Sequence, residues 1–405
     1  MRKMKESGIE WIGKIPSNWK VRKFKTLAKL CNGKEILSDG GDIPVYGSGG
    51  IFKWTSTYLH KGESLLMGRK GTIDNPMLVN GEFWTVDTMF YTSKFFDTIG
   101  KFLFYSCKGI INYDYYKSGS VLPSMTQTEV NNILLPIPPL SEQQAIADYL
   151  DCKCGQVDAL VKNVREQIEQ LKAYKQSLIS EVVTKGLNPN APMKDSGVEW
   201  IGEIPEAWEV KRIKDLFVLR NERNDEADLA KVNLISLYTD LGVVQHSDII
   251  ETTGNRAVTA DGYKLVYPND IVVNIILCWM GAIGMSKYEG VTSPAYDIYR
   301  PLEGTLSHYY HYLFRTPKFN GECYRYGRGI MMMRWRTYSS EFRSISIPVP
   351  PLFEQQAIAE YLGTKCGQID RLIALKEAKI AQLEAYKKSL IYEVVTGKRV
   401  TNDEL

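Results

Sequence analysis

The segment PIPPLSEQQAIADYLDCKCGQVD (residues 136–158) returns almost unchanged as PVPPLFEQQAIAEYLGTKCGQID (residues 348–370). The match extends to Thr184 and Thr396, with 31 identities in 49 aligned positions. A shorter repeat precedes each copy, since Met4–Lys25 aligns with Met193–Lys214 at 13 identities in 22 positions. The intervening stretches, roughly residues 26–135 and 215–347, show no comparable similarity. This alternation of constant and variable parts predicts one duplicated scaffold that presents two different domains.

The constant parts predict long helices. Ser141 and Gln144 have the spacing of a capping box for a short helix, and a longer helix is predicted from about Gly155 to Val183. Apolar residues recur there at alternating steps of four and three, which is the pattern of a coiled-coil seam. The seam comprises Val157, Val161, Val164, Ile168, Leu171, Leu178 and Val182 in the first copy, and Ile369, Ile373, Ile380, Leu383, Leu390 and Val394 in the second.

Two such seams in one chain are most simply buried against each other. Because a variable domain separates the two helices, an antiparallel coiled coil with pseudo-two-fold symmetry is predicted. Lys175 and Lys387 occupy matching seam positions, and single polar seam residues commonly set register and orientation. The alternative is that each helix packs only on its own domain.

The variable parts read as mixed α/β. Short β-branched and aromatic runs are bounded by Gly, Asn, Asp and Pro, and helical patterning appears near Lys101–Cys107 and Leu306–Thr316. The predicted fold class is therefore mixed α/β, with two domains joined by the two long helices. The predicted boundaries are residues 1–140 for the first variable domain, 141–188 for the first helical region, 189–352 for the second domain and 353–405 for the second helical region.

Composition excludes several classes of protein. The start of the chain lacks the apolar segment of a secretory signal, and the longest apolar runs are too short and too interrupted by Gly to span a bilayer. Seven cysteines without regular spacing fit a reducing cytoplasm better than a disulfide framework. A net charge of +3 does not by itself indicate a nucleic-acid-binding protein.

Local basic clusters are the candidate DNA contacts. Arg69 and Lys70 lie in a Gly-flanked turn, where backbone amides and two cations are placed to meet a phosphate. The segment YRYGRGIMMMRWR (residues 324–336) interleaves arginines with Tyr and Trp and contains no acidic residue. The alternative for each cluster is a solvated loop. The candidates are Lys53, Trp54, Arg69, Lys70, Lys117, Arg325, Arg328, Arg334 and Arg336.

Catalytic and metal-binding patterns are absent from the sequence. Gly8, Gly13 and Lys14 have the spacing of a phosphate-binding loop, but Ile15 stands where the Ser or Thr is needed, and Lys14 becomes Glu203 in the repeat. The His and Cys residues do not form a set of four metal ligands at a typical spacing. The sequence therefore predicts neither a catalytic residue nor a metal site.

The repeated phrases resemble a known family. SGIEWIGKIPSNW (residues 7–19), PIPPLSEQQAIADYLD (136–151) and LKAYKQSLISEVVTKG (171–186), with their second copies, look like the specificity (S) subunits of type I restriction–modification systems. The resemblance covers the whole chain, most strongly in the constant parts. It implies a non-catalytic, cytoplasmic prokaryotic protein in which each variable domain reads one half of a split, asymmetric DNA target.

The resemblance also implies partners and cofactors. Constant surfaces would dock two methylation subunits, which bring S-adenosylmethionine, and restriction subunits would join with ATP and Mg²⁺. No cofactor is expected on this chain, and no NPPF or NPPY tetrapeptide of an adenine methylase occurs in it. The helices would act as a ruler; about 28 residues give a rod of roughly 40 Å, or about 12 base pairs, with a gap of about 5–8 between half-sites.

Two other functions remain open from the sequence. One is a self-contained sequence-specific nuclease, for which no acidic-lysine motif is evident on a predicted strand pair. The other is a coiled-coil adaptor whose variable domains bind proteins. Cleavage of DNA by the pure chain with Mg²⁺ would identify the first, and a lack of DNA binding even with a methylating partner would favour the second.

Overall fold

A computed structural model describes residues 2–36, 39–117, 122–248, 259–329 and 335–400. Of Lys117 it describes the backbone only. The chain divides into two compact units. The first consists of Met1–Glu166 and Lys376–Leu405, and the second is Gln167–Leu375. Each unit therefore takes residues from both long helices.

The first unit contains short strands and three short helices besides its share of the long ones. Its strands are Met4–Glu6 (β1), Lys14–Pro16 (β2), Lys20–Lys23 (β3), Ala28–Asn32 (β4), Ile43–Gly47 (β5), Gly50–Thr55 (β6), His60–Lys61 (β7), Ser64–Gly68 (β8), Met77–Val79 (β9), Glu82–Thr85 (β10), Met89–Phe95 (β11) and Leu134–Ile137 (β12). Its short helices are Gly100–Ile110 (α1), Asp114–Lys117 (α2) and Gln127–Asn132 (α3), and the first long helix is Leu140–Lys185 (α4).

The second unit has a comparable inventory. Its strands are Met193–Asp195 (β13), Glu203–Pro205 (β14), Glu209–Arg212 (β15), Phe217–Arg220 (β16), Ile235–Tyr238 (β17), Gly242–Gln245 (β18), Lys264–Val266 (β19), Ile271–Asn274 (β20), Ile283–Met285 (β21), Gly290–Thr292 (β22), Tyr296–Pro301 (β23) and Ser346–Val349 (β24). Its short helices are Ser307–Leu313 (α5), Pro317–Tyr326 (α6) and Ser339–Phe342 (α7), and the second long helix is Leu352–Val395 (α8).

Each variable region contains a four-stranded sheet with the same strand order, although the two sequences do not match. The four strands follow the order β4-β11-β8-β9 in the first unit and β16-β23-β20-β21 in the second, and every pairing is antiparallel. The flanking pairs β3–β12 and β15–β24 also correspond. The first unit adds a sheet of order β6-β5-β10-β7. The mixed α/β fold class is thus confirmed, and both units are built on the same arrangement of strands.

The prediction of a short helix before a longer one was wrong. The first long helix is continuous over 46 residues and contains Gly155 in its interior. The amides of Glu142 and Gln143 both donate to the carbonyl of Pro139, so the helix has begun before Ser141 and Ser141 is not its cap. A Gly inside a helix costs only about 1 kcal/mol, which packing on both sides of it outweighs. The 40 Å ruler estimate therefore counted too few residues.

Residues of the predicted seam lie on the sheltered side of both helices. Leu160, Leu372 and Leu375, which are off the seam, are exposed. The seam residues are buried or half-buried in each unit: Val157, Val161, Val164, Ile380, Leu383, Leu390 and Val394 in the first, and Ile168, Leu171, Leu178, Val182, Ile369 and Ile373 in the second.

Ion pairs between the helices show their direction. In the first unit, Lys387 Nζ lies 2.6 Å from Asp158, and Arg165 lies 3.0 Å from Glu384. From the first pair to the second, the residue number increases on α4 and decreases on α8. The parts of the two helices in this unit therefore pack antiparallel. In the second unit, Lys175 Nζ lies 2.7 Å from Asp370, the repeat equivalents of Lys387 and Asp158. The two seam lysines therefore each have a carboxylate partner.

Reversal of one charge in such a pair should lower stability. Burial lowers the pKa of nearby Lys108, and Lys387 acts in the same direction, so Asp158→Lys would add a third cation to the same place. We expect Asp158→Lys to cost about 1 kcal/mol of unfolding free energy, and the double variant Asp158→Lys with Lys387→Asp to regain most of it. Thermal unfolding of the four proteins of the cycle measures the coupling. Additive losses would contradict a specific pair.

Each N-terminal repeat is anchored to both long helices. Trp19 is fully buried, and its indole Nε1 donates to Glu142 at 3.1 Å. A Cβ on Gly397, which has a φ of +71°, would come within 3.2 Å of the Trp19 ring. In the second unit Trp208 donates to Glu354 at 2.8 Å and faces Gly186 in the same way. Within each unit, the N-terminal repeat therefore packs against the ends of both long helices. We call this contact the joint of that unit.

A buried glutamine completes this joint. The Gln143 Oε1 accepts from the amide of Ile99 at 3.0 Å and from the Thr98 hydroxyl at 3.1 Å, while its Nε2 donates to the carbonyl of Pro138 at 3.0 Å. Gln355 makes the equivalent bonds to Leu306 and to the carbonyl of Pro350. The repeated Glu-Gln pair thus ties the start of each long helix to a variable domain and to the N-terminal repeat.

Candidate nucleic-acid interface

The predicted Arg-Lys turn directly follows β8 in the first unit. Its shape requires Gly68, because a Cβ there would lie 2.3 Å from the carbonyl oxygen of Thr72. The amides of Arg69 and Lys70 both donate to Thr88, and that of Gly71 donates to Pro123. The proposed phosphate contact through these backbone amides is therefore contradicted, and only the side chains of Arg69 and Lys70 remain available for it.

The hairpin of β5 and β6, which carries Lys53 and Trp54, contacts the same turn through its loop. A Cβ on Gly71 would touch the Ser48 hydroxyl, which belongs to the hairpin loop, at 3.0 Å. Trp54 is half-exposed, as are its neighbours Ile51 and Phe52. Lys53 is paired with Asp39 at 3.3 Å. In the first unit the Arg-Lys turn thus adjoins the loop of a hairpin that exposes Phe52 and Trp54.

The second unit presents corresponding segments. A turn of residues 275–281 follows β20, as the Arg-Lys turn follows β8. The amide of Thr337 donates to the carbonyl of Ile275 at 2.9 Å, and in the first unit the amide of Met125 donates to that of Arg69, also at 2.9 Å. Thr337 and Met125 differ by the repeat offset of 212 residues. Arg336 therefore stands where Ser124, the bridge partner of Lys70, stands in the first unit.

Acidic side chains from outside the arginine-rich segment lie beside two of its arginines. Glu322, one turn earlier on α6, lies 2.8 Å from Arg325, and Glu341 of α7 forms an ion pair with Arg328, so both guanidinium groups have an acidic partner. Arg336 is exposed, and among the described residues it has no ion-pair partner. It joins Arg328 through backbone hydrogen bonds of 2.8 and 2.9 Å. Among the described arginines of this cluster, Arg336 is thus the strongest candidate.

The structure does not describe the side chains of two predicted candidates. Arg334 lies outside the described residues, and for Lys117 the structure gives only its place at the end of α2. Sequence reasoning also missed part of the surface, namely the turn after β20 with Trp279 and Met280. The run IILCWMGAIG gives no charge and no polar signal, so it reads as core. Only the position of this turn at the end of β20 identifies it as part of the candidate surface.

The phosphate-loop pattern serves as a structural turn. Gly8 and Gly13 have φ values of +76° and +68°, and the apolar residues between and after them, Ile12 and Ile15, are buried. No cluster of three potential metal ligands is found among the described residues. Within the same part of the chain, every helix is either too short or too polar for a transmembrane segment.

Comparison with known proteins agrees with these features. The family described as the type I restriction modification DNA specificity domain matches residues 16–170 and 205–385, one match in each half of the duplication. The chain is 26% identical over 404 residues to the type I restriction enzyme MjaVIII specificity subunit of Methanocaldococcus jannaschii, covering 92% of this chain and 83% of that protein.

Solved structures share the fold. One, from a study of complex assembly and conformational transition of the type I R-M system, matches with a TM-score of 0.70 at 15% identity, over 95% of this chain and 99% of that one. The HsdS subunit from Thermoanaerobacter tengcongensis matches with a TM-score of 0.52 at 16% identity, over 97% and 100% of the two chains. With both halves of the duplication matched, the chain belongs to the type I restriction–modification DNA specificity family and has the role of a non-catalytic specificity subunit.

Proposed function

We propose that the two units bind two separate segments of one double-stranded DNA molecule, each through the sheet edge described above. The observation that carries this proposal is the correspondence of the edges: the same topology presents Arg69 and Lys70 in one unit and Arg336 in the other. Phosphate contacts from Lys and Arg position a protein on DNA, and side chains that reach base edges determine the sequence. Because the two edges differ in chemistry, the half-sites differ and the target is asymmetric.

The partners are part of the same proposal. Two methylation subunits carrying S-adenosylmethionine dock on the repeated surfaces, and restriction subunits that use ATP and Mg²⁺ join them. The near-duplication of each joint between an N-terminal repeat and a long helix supports two equivalent docking places. A net charge of only +3 also favours tight DNA binding by the assembled complex rather than by this chain alone.

Mapping of methylated adenines tests the function. Single-molecule sequencing of DNA from cells with and without this gene, in the presence of the methylation subunit, should reveal a split motif that depends on the gene. Replacement of residues 26–135 by the corresponding region of a relative should change one half of the motif and leave the other half unchanged. A motif that persists without the gene would refute the proposal.

Arg336→Ala should weaken recognition of one half-site only. Loss of a base contact costs about 1–3 kcal/mol, and we expect this loss for duplexes that vary in the half read by the second unit. The matched control is Arg325→Ala, because the Arg325 guanidinium is already engaged by Glu322. Competition binding of the complex with the methylation subunit measures both variants. An equal loss at both half-sites would indicate a general structural defect instead.

A further inference from the structure

The turn after β20 presents two apolar side chains to solvent. Leu277 and Met280 are 38% and 51% exposed, whereas Cys278 between them is fully buried. Residues 278–280 form a single 3₁₀ turn that ends at Gly281, whose φ is +92°. About half of Met280 and more than a third of Leu277 are thus open to solvent and not covered by the described residues. This turn is therefore a candidate for contact with an apolar group of a ligand.

The turn is held in one conformation. The Asn274 side-chain oxygen accepts from the amides of Ile276 and Leu277 at 3.0 and 3.3 Å, and the Trp279 indole donates to the carbonyl of Ile276 at 2.9 Å. Arg315, which lies just after α5, donates to the carbonyl of Ile283 on the strand that follows the turn, at 3.0 Å. A turn fixed at both ends loses little conformational entropy when it binds, so even a small apolar contact contributes to affinity.

Its neighbours belong to the proposed DNA surface. The Trp279 ring packs edge-on against Tyr324 at 5.6 Å, and Tyr324 stacks on Trp335 at 4.9 Å. Trp335 directly precedes Arg336 in the chain. The apolar tip is therefore continuous with the exposed arginine that we propose contacts DNA. The corresponding turn in the first unit carries Arg69 and Lys70, so the two units offer different chemistry at the same position of the sheet.

We propose that Met280, flanked by Leu277, contacts the C5 methyl group of a thymine in the major groove of the half-site bound by the second unit. The thymine methyl is the apolar group that base pairs expose in that groove, and side chains without hydrogen-bonding groups read it by contact. A flexible thioether side chain adapts to such a small surface. This assignment rests on the proposed function and makes Met280 a determinant of sequence specificity.

Deoxyuridine substitution tests the contact at the level of one methyl group. After the target is mapped, each thymine of the second half-site is replaced in turn by deoxyuridine, which lacks only that methyl. Binding is measured with the complex of this chain and the methylation subunit. For the wild type we expect one substitution to weaken binding about fourfold, which corresponds to the burial of one methyl-sized group. Met280→Ala should bind thymine DNA more weakly and show no further loss with deoxyuridine at that position.

The controls separate the possible failures. Leu302→Ala removes an exposed apolar side chain that follows β23 at the opposite end of the sheet, and it should retain the fourfold discrimination. The proposal is overturned if every deoxyuridine duplex binds the wild type normally, or if the penalty persists undiminished in Met280→Ala. A wild-type complex that does not distinguish its mapped target from a scrambled duplex would instead refute the proposed function.

Discussion

Trp19→Ala should unfold the joint that holds the first unit together. The fully buried indole fills the space between the N-terminal repeat and the last turn of α8, and its Nε1 donates to Glu142. Truncation leaves a cavity where the ring was and removes one hydrogen bond to Glu142, which keeps its ion pair with Arg2, and we expect a loss of about 3–5 kcal/mol of unfolding free energy. Hydrogen exchange resolved along the chain should show faster exchange in β1–β3 and in both helix ends of this unit.

Two matched variants make this prediction specific. Trp11→Ala removes an indole from the same repeat that is already 53% exposed, and its effect should be much smaller. Trp208→Ala removes the repeat equivalent of Trp19, so it should produce the same loss within the second unit. If Trp19→Ala and Trp11→Ala destabilised the chain equally, the joint would not depend on the buried ring.

Lengthening both helices should lengthen the gap between the half-sites. Insertion of seven residues between Glu166 and Gln167 in α4, and seven between Leu375 and Lys376 in α8, adds one heptad to each helix and preserves the spacing of the seam. Seven residues extend a helix by about 10 Å, which is about three base pairs of DNA. We therefore expect the methylated motif to keep both half-sites and to gain about three base pairs between them.

Separate insertions provide the controls. Seven residues placed in α4 alone move Lys175 by one heptad relative to Asp158, so the two ion pairs to α8 cannot form together, and specific methylation should be lost. The same seven residues inserted between Asn190 and Ala191, beyond the end of α4, should leave the gap unchanged. An unchanged gap in the double insertion would contradict the ruler.

Much of the frame could be predicted because its signals are local. Heptad spacing identified the seam, and the positions of α1 and α5 agree with the helical patterning near Lys101–Cys107 and Leu306–Thr316. The start of α4 could not be predicted in the same way. Ser141 has the residue type and spacing of a cap, but the carbonyl of Pro139 already accepts the first amides, and that depends on how the preceding strand enters the helix.

The candidate site was predicted less completely, because charge in sequence differs from charge in space. Arg325 and Arg328 belong to a stretch without acids, yet Glu322 and Glu341 approach them from α6 and α7. The amides of the Arg-Lys turn were expected to be free, and Thr88 and Pro123, distant in sequence, accept from them. Met280 was missed because an apolar run gives the same pattern whether its residues face the core or the solvent.

By itself, the sequence determined that the chain is a duplicated scaffold with two dissimilar domains, since repeats and heptads are encoded by neighbouring residues. Only the tertiary structure decided that each compact unit combines the first part of one long helix with the last part of the other, and that unrelated variable regions form the same sheet. The physical reason is that strand order, ion pairing and exposure arise from contacts between residues far apart in the chain, which no local pattern records.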